Sequence, residues 1–310
     1  MKKFTFIIVL LAVVLAAGAQ KRPKAIVKLE KQLVGKFVEI PATHYTVSIK
    51  DEDGNVQSRK EVTTAGFYML ETEVSYASYK SFLEDLKAQG RMADYDKARI
   101  QDTALERISQ QYKNWSAPDF DPFPVANISY EGALLFCQWL TDKVGSEEWE
   151  YTLPSKVDWQ VAAQGGNPTA QYSTGHQFVQ GEPYHSFSRN QYTYLQIPQF
   201  ILTKKEDGCC TVNGMGISRT YPLVRKIKLE NGEEHVSVWP STTFVRSHDK
   251  NPYGLYNMCG NVAEMVYGES IALGGSYNDP GYDIRIQSEK PYTGPSPMIG
   301  FRVIAVPKTR

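Results

Sequence analysis

The chain has 310 residues, with 34 basic residues against 34 acidic ones and a formal net charge of zero. That balance supplies no global field for holding nucleic acid or an anionic membrane. With 42% hydrophobic and 12% aromatic residues it can bury a large core, which excludes a disordered chain and suits one elaborated domain.

Lys2 and Lys3 precede an apolar run from Phe4 to Leu15, and Ala17, Gly18 and Ala19 offer small residues at a cleavage site. The pattern predicts a secretory signal peptide over residues 1–19, because the run is too short for a comfortable membrane span. An uncleaved anchor is the alternative. The first cysteine is Cys137, so no lipid-accepting cysteine follows the run. The mature protein is therefore expected to be exported, periplasmic or extracellular, not an N-terminal lipoprotein, and without an integral membrane span.

Residues 20–59 read as a leader and a hairpin. Tyr45, Val47 and Ile49 alternate with Thr46 and Ser48, Asp53-Gly54 marks the turn, and Val56 begins the return. A strand is expected at residues 66–70. Ser75 then predicts the cap of a helix carrying Tyr79, Phe82, Leu83 and Leu86 on one face and ending near Gly90. Residues 91–115 are polar and charged, with helical potential between Asp94 and Gln111, and Pro118, Pro122 and Pro124 read as loop. Ser129 predicts a second helix, striped by Ala133, Phe136, Cys137 and Leu140. Ser155 with Asp158 predicts a capping box ahead of Trp159, Ala162 and Ala163.

After Gly165-Gly166 the pattern changes, and residues 167–250 form a divergent insertion rich in Tyr, Gln, Gly and Pro. Within it, Asn231-Gly232 predicts a hairpin between Leu223-Val224 to Leu229 and His235 to Val238. The remainder is turn-rich, with short apolar runs at residues 271–273 and 303–306. Early helices and late short strands predict an α+β domain over residues 60–310 with much irregular loop.

The cysteines are Cys137, Cys209, Cys210 and Cys259, whose full pairings the sequence leaves open. Neighbouring Cys209 and Cys210 are poorly placed to bridge each other. His44, His176, His185, His235 and His248 lack metal-like spacing, and no Gly-x-Ser-x-Gly elbow or phosphate loop occurs. The most distinctive stretch is NPYGLYNMCGNVAE at residues 251–264. Asn251, Asn257, Gly260 and Asn261 mark tight turns, and the Asn257 amide oxygen, the Glu264 carboxylate and backbone carbonyls offer the oxygen ligands that Ca²⁺ prefers. The alternative is a metal-free turn in which Glu264 accepts backbone N–H groups.

Several blocks now follow one another: FYM at 67–69 with EVS at 73–75, PVANISY at 124–130, CQWL at 137–140, YTLPSKVDW at 151–159 and AAQGG at 162–166. The 251–264 stretch, GGSY at 274–277 and GFR at 300–302 complete the series. Together they resemble the formylglycine-generating enzyme (sulfatase-modifying factor) family over roughly residues 60–306. The resemblance implies a C-type-lectin-like fold with few helices and a small antiparallel sheet. It also implies a calcium ion held by the Asn257 side chain, the Gly260 and Val262 carbonyls and the Glu264 carboxylate.

Enzymes of the family oxidise a substrate cysteine to formylglycine with a copper-binding cysteine pair ahead of the terminal Gly-Phe-Arg. Here the corresponding residues 277–299 contain no cysteine, and the motif positions fall near Tyr282 and Gln287. Copper is therefore not expected, since Cu(I) needs soft thiolates. Cys137 matches a position that is disulfide-bonded in some members, and its partner position is Val303. Nothing matches the extra N-terminal helical bundle that carries the metal ligands of the related iron-dependent branch.

Two functions remain open. One is an exported, non-catalytic scaffold or binding protein, similar to the gliding-motility and type nine secretion components, with other cell-envelope proteins as partners. Tyr172, Tyr184, Tyr192 and Tyr194 offer a contact surface for it, or else a loop packed on its own body. The alternative is an enzyme with altered, non-thiol chemistry in the ancestral groove at Tyr282, Arg285, Gln287 or Ser288.

Overall fold

The computed structural model describes residues 6–10, 21–50, 56–101, 122–170, 172–173, 200–204, 210–214, 224–228, 234–238, 242, 244–246, 250–276, 279 and 284–308. Strand β1 (Phe6–Leu10) pairs with one edge of β3 (Thr43–Lys50), whose other edge pairs with β4 (Val56–Thr64). The predicted hairpin is thus formed, and its turn lies outside the described residues. Between them come helix α1 (Lys24–Leu33) and strand β2 (Phe37–Ile40).

Strand β2 falls within the 20–59 leader and hairpin. It pairs with β5 (Phe67–Leu70) in a four-stranded antiparallel sheet that continues through β15 (Ile304–Pro307) to β6 (Trp149–Thr152). All four residues of β5 are buried, because both faces of this sheet are covered. The two-residue side-chain period sends Tyr68 and Leu70 to one apolar cluster and Phe67 and Met69 to another.

The first cluster is built by helices α2 (Tyr76–Ala88) and α4 (Tyr130–Val144), with α3 (Met92–Ala98) beside them. The caps form as predicted: Ser75 accepts from the Ser78 N–H at 3.3 Å, and Ser129 accepts from the Gly132 N–H at 2.9 Å. Helix α3 realises only the start of the expected 94–111 helical stretch, and residues 102–121 lie outside the described set. Tyr79, Phe82, Phe136 and Phe301 meet edge-on or stacked, with centroids between 5.2 and 6.0 Å apart. Cys137 packs into the same cluster as Val303 and is a free thiol.

Helix α5 (Lys156–Gln164) covers the second cluster, capped by Ser155, which accepts from the Asp158 N–H at 3.2 Å. Hairpins β7 (Phe200–Lys204) with β8 (Cys210–Gly214), and β9 (Val224–Lys228) with β10 (Glu234–Val238), lie in the insertion; the second flanks Asn231-Gly232 as expected. A second four-stranded sheet has the order β13 (Glu289–Pro291), β12 (Ile271–Leu273), β11 (Ala263–Met265), β14 (Ile299–Phe301), with only β11 and β14 parallel.

Two glycines are fixed by close approach. A Cβ on Gly300 would lie 2.4 Å from the Val125 carbonyl oxygen, and one on Gly274 would lie 2.9 Å from the Met258 carbonyl oxygen. Gly300 thereby lets β14 reach the 124–130 segment, and the chain passes directly from β14 in one sheet to β15 in the other. Arg302 sits at that crossing. Among the described residues, no helix is long and apolar enough to cross a membrane.

Candidate functional site

The turn at residues 251–264 is built from positions that ordinary side chains avoid. Asn257 and Asn261 have φ of 51° and 61°, and Gly260 has φ of 90°. Asparagine and glycine tolerate this left-handed region best. Asn251 holds the entry: its Nδ2 donates to the Ala162 carbonyl at 2.7 Å, and its Oδ1 accepts the Leu255 N–H at 3.0 Å.

The predicted ligand residues Asn257, Gly260, Val262 and Glu264 are all buried in this stretch. Glu264 is 1% exposed, and among the described residues no backbone N–H donates to its carboxylate, unlike the metal-free alternative. Its partners are side chains. Arg302 Nη2 donates to Oε1 at 2.7 Å, Arg302 Nε donates to Oε1 at 3.2 Å and Oε2 at 3.0 Å, and Trp159 Nε1 of α5 donates to Oε2 at 2.8 Å. Arg302 Nη1 also donates to the Leu70 carbonyl at 3.1 Å, and Nη2 to the Tyr256 carbonyl at 2.8 Å. The fully buried guanidinium therefore joins β5, the turn and the C-terminal strand.

A second carboxylate completes the cluster. Glu73, fully buried, accepts from Asn257 Nδ2 at 3.1 Å and from Asn261 Nδ2 at 2.8 Å. Burial pushes its carboxyl up to about 8; Arg302 pulls it down and Glu264 pushes it further up. Burial also works against the Arg302 charge, but the Glu264 and Glu73 carboxylates outweigh it and hold that guanidinium above its ordinary value.

Among the described residues, the Asn257 amide oxygen here lacks a hydrogen-bond partner. Asn257 Nδ2 also faces the carbonyls of Phe244 at 3.3 Å and Val245 at 3.1 Å, which fixes the amide orientation, and its buried Oδ1 has no hydrogen bond. An orphaned, buried amide oxygen is an acceptor of the kind a hard cation takes, and it is the one observation here that fits such an ion. Among the described residues no three His, Cys, Asp or Glu side chains converge on a metal site, so amide and backbone oxygens would have to supply most ligands.

The residues expected to line a groove, Tyr282, Arg285, Gln287 and Ser288, are partly described. Tyr282 lies outside the described residues. Arg285 and Gln287 reach the segment after α5: Gln287 Nε2 donates to the Ala170 carbonyl at 3.2 Å, and Arg285 partly offsets the upward push of burial on the Tyr172 hydroxyl. The Ser288 N–H donates to the Arg285 carbonyl at 2.9 Å. Tyr172 is 5% exposed and packs in the second core cluster, so of the two alternatives for the tyrosines it follows the one in which the loop packs on its own body. Tyr184, Tyr192 and Tyr194 lie outside the described residues, as do Cys209 and the side chain of Cys210.

The same segment closes over Cys259. The Ser173 N–H donates to its Sγ at 3.3 Å, and burial pushes the thiol up to about 11. Burial likewise raises the Cys137 thiol. Both are the protonated, poorly nucleophilic form at neutral pH.

Glu73, Trp159, Asn261 and Arg302 escaped assignment from the sequence, although each falls in a quoted block. A glutamate three residues after the apolar Phe67–Leu70 strand was the available signal, since a buried carboxylate there must find donors.

The family model described as "Sulfatase-modifying factor enzyme 1-like domain" matches residues 23–306. The formylglycine-generating enzyme of Mus musculus is 22% identical over 260 residues, covering 74% of this chain and 57% of that protein. The serine/threonine-protein kinase Pkn1 of Chlamydia trachomatis serovar L2 is 24% identical over 141 residues, covering 46% of this chain and 21% of that protein. The chain thus spans little more than half of one relative and about a fifth of the other. The structure of PvdO from Pseudomonas aeruginosa aligns at 18% identity and a TM-score of 0.52, covering 87% of this chain and 94% of that one, which is a likeness of fold.

Proposed function

The chain belongs to the sulfatase-modifying factor enzyme 1-like domain family, and from that membership we propose that it is an exported, non-catalytic scaffold or binding protein of the cell envelope. One observation carries the reading: residues 277–299, where the family's enzymes keep their copper-binding thiols, contain no cysteine. Cys259 offers no substitute, being fully buried with its sulfur engaged by the Ser173 N–H and its pKa pushed up to about 11. An activated nucleophile needs a depressed pKa or an adjacent base, and this thiol has neither.

The turn at residues 251–264 serves this reading as a staple. Asn257 Oδ1, the carbonyls of Gly260 and Val262, and Glu264 would hold a calcium ion, which supplies charge and ligation for irregular backbone rather than chemistry. Glu264 would share its carboxylate between the ion and Arg302, and a cation there would favour the charged form of Glu73. The partners are other cell-envelope proteins, in the manner of gliding-motility and type nine secretion components, and export through the residue 1–19 leader would bring the chain to them.

Crosslinking in the native envelope, followed by affinity recovery of the tagged full chain, tests the proposal. Reproducible recovery of one envelope protein, lost when the chain is unfolded first, supports it. Recovery of no partner across several crosslinker lengths counts against it.

A further inference from the structure

A buried cation outside the Glu73–Arg302–Glu264 network packs against strands β2 and β5. Arg22, on the short segment before α1, has a side chain only 3% exposed. Its guanidinium lies 4.0 Å from the Tyr68 ring centroid and 5.2 Å from that of Phe37. Its Nη1 donates to Oε1 of Glu30, the one fully buried residue of α1. The Tyr151 hydroxyl donates to the same oxygen at 2.6 Å. Phe37 meets Tyr151, and Tyr68 meets Trp149, each edge-on at 5.6 Å.

Aromatic faces around a carboxylate are the chemistry that selects a guanidinium. Arg22 nevertheless fills this pocket poorly. Its own Nε, Glu30 Oε2 and Trp149 Nε1 are all buried without a hydrogen-bond partner. A guanidinium approaching with its fork along the carboxylate would pair both oxygens, whereas Arg22 engages only one. A peptide carbonyl travelling with that guanidinium would pair the Trp149 N–H. On either side of Arg22, Lys21 and Pro23 are exposed, and regular helix begins only at Lys24.

We propose that Glu30, Phe37, Tyr68, Trp149 and Tyr151 form a guanidinium-binding pocket that the chain's own Arg22 plugs, and that the arginine side chain of an extended peptide replaces Arg22 when residues 21–23 lift away. The pocket shares no residue with the Glu73–Arg302–Glu264 network and does not depend on an ion there. A self-ligand lowers the apparent affinity of its competitor by the fraction of chains it occupies.

The test uses the full chain with Arg22→Ala and two probes, N-acetyl-arginine methylamide and its lysine counterpart, followed by calorimetry. The variant should bind the arginine probe saturably and at least about tenfold more tightly than the wild type does. The lysine probe should bind at least about tenfold more weakly, and Glu30→Gln added to the variant should abolish binding. Equal affinity in variant and wild type, equal response to both probes, or no binding by the folded variant overturns the pocket. Should Arg22→Ala fail to fold, Arg22→Lys keeps the charge and stem, and the same comparison applies. In the wild type, amide hydrogen exchange over residues 24–27 should rise with the arginine probe and not with the lysine probe; no difference also overturns it.

Discussion

Replacing Arg302 by Met keeps the apolar stem and removes the guanidinium that joins three parts of the fold. The loss leaves Glu73 and Glu264 together in a buried site and strips the Leu70 and Tyr256 carbonyls of a donor. Breaking a buried pair by removing one partner costs about 3–5 kcal/mol. Protonation of Glu73, whose carboxyl is already pushed up, moderates the cost toward the lower end. For a domain of this size the loss corresponds to a fall of roughly 6–20 °C in Tm. Urea denaturation read by circular dichroism measures it, with an unchanged m-value as the sign that the unfolded state is not the cause. The companion variant, Arg302→Met with Glu264→Leu, should recover a substantial part, because apolar groups of similar volume replace a buried pair at little cost. A loss below about 1 kcal/mol for Arg302→Met, or a double variant that loses the sum of both singles, would refute the reasoning.

EDTA should lower Tm and added Ca²⁺ should restore it, by about 2.7 kcal/mol at a hundredfold excess over Kd, and Asn257→Leu should abolish the response; a calorimetric scan insensitive to both reagents removes the ion. In EDTA, stability should be greatest at mildly acidic pH and decline as pH rises through about 8, because the folded chain keeps a proton on Glu73 that the unfolded chain has already released; urea midpoints from about pH 5 to about pH 9 read this, and Glu73→Gln should flatten the slope. Cys137 and Cys259 should resist iodoacetamide in the folded chain and react once it is unfolded, as read on their own peptides by mass spectrometry, and rapid native labelling of Cys259 would contradict its burial under Ser173.

Much of the fold was written locally. Ser75, Ser129 and Ser155 each declare a helix start, because a cap needs only its own next turn, and alternation in Tyr45, Val47 and Ile49 needs only the neighbouring strand. Strand β2 was not legible as part of the main sheet. Its pairing with Phe67–Leu70 depends on contacts thirty residues away that no local period encodes. The site divides in the same way. Left-handed asparagines announce the turn, whereas the Arg302 partner of Glu264 is distant in sequence and becomes its neighbour only where one strand pair carries the chain between two sheets. For Tyr172 the sequence left both alternatives open, because composition marks a tyrosine as adaptable without saying which side of the loop it faces.

The most direct measurement is turnover of a peptide carrying Cys-x-Pro-x-Arg, incubated with the purified full chain, copper, a thiol reductant and oxygen, and followed by mass spectrometry. The peptide cysteine should remain intact at every time point, while a competent formylglycine-generating enzyme run alongside converts it. Formation of formylglycine by this chain, lost on substitution of Cys259, would overturn the non-catalytic reading.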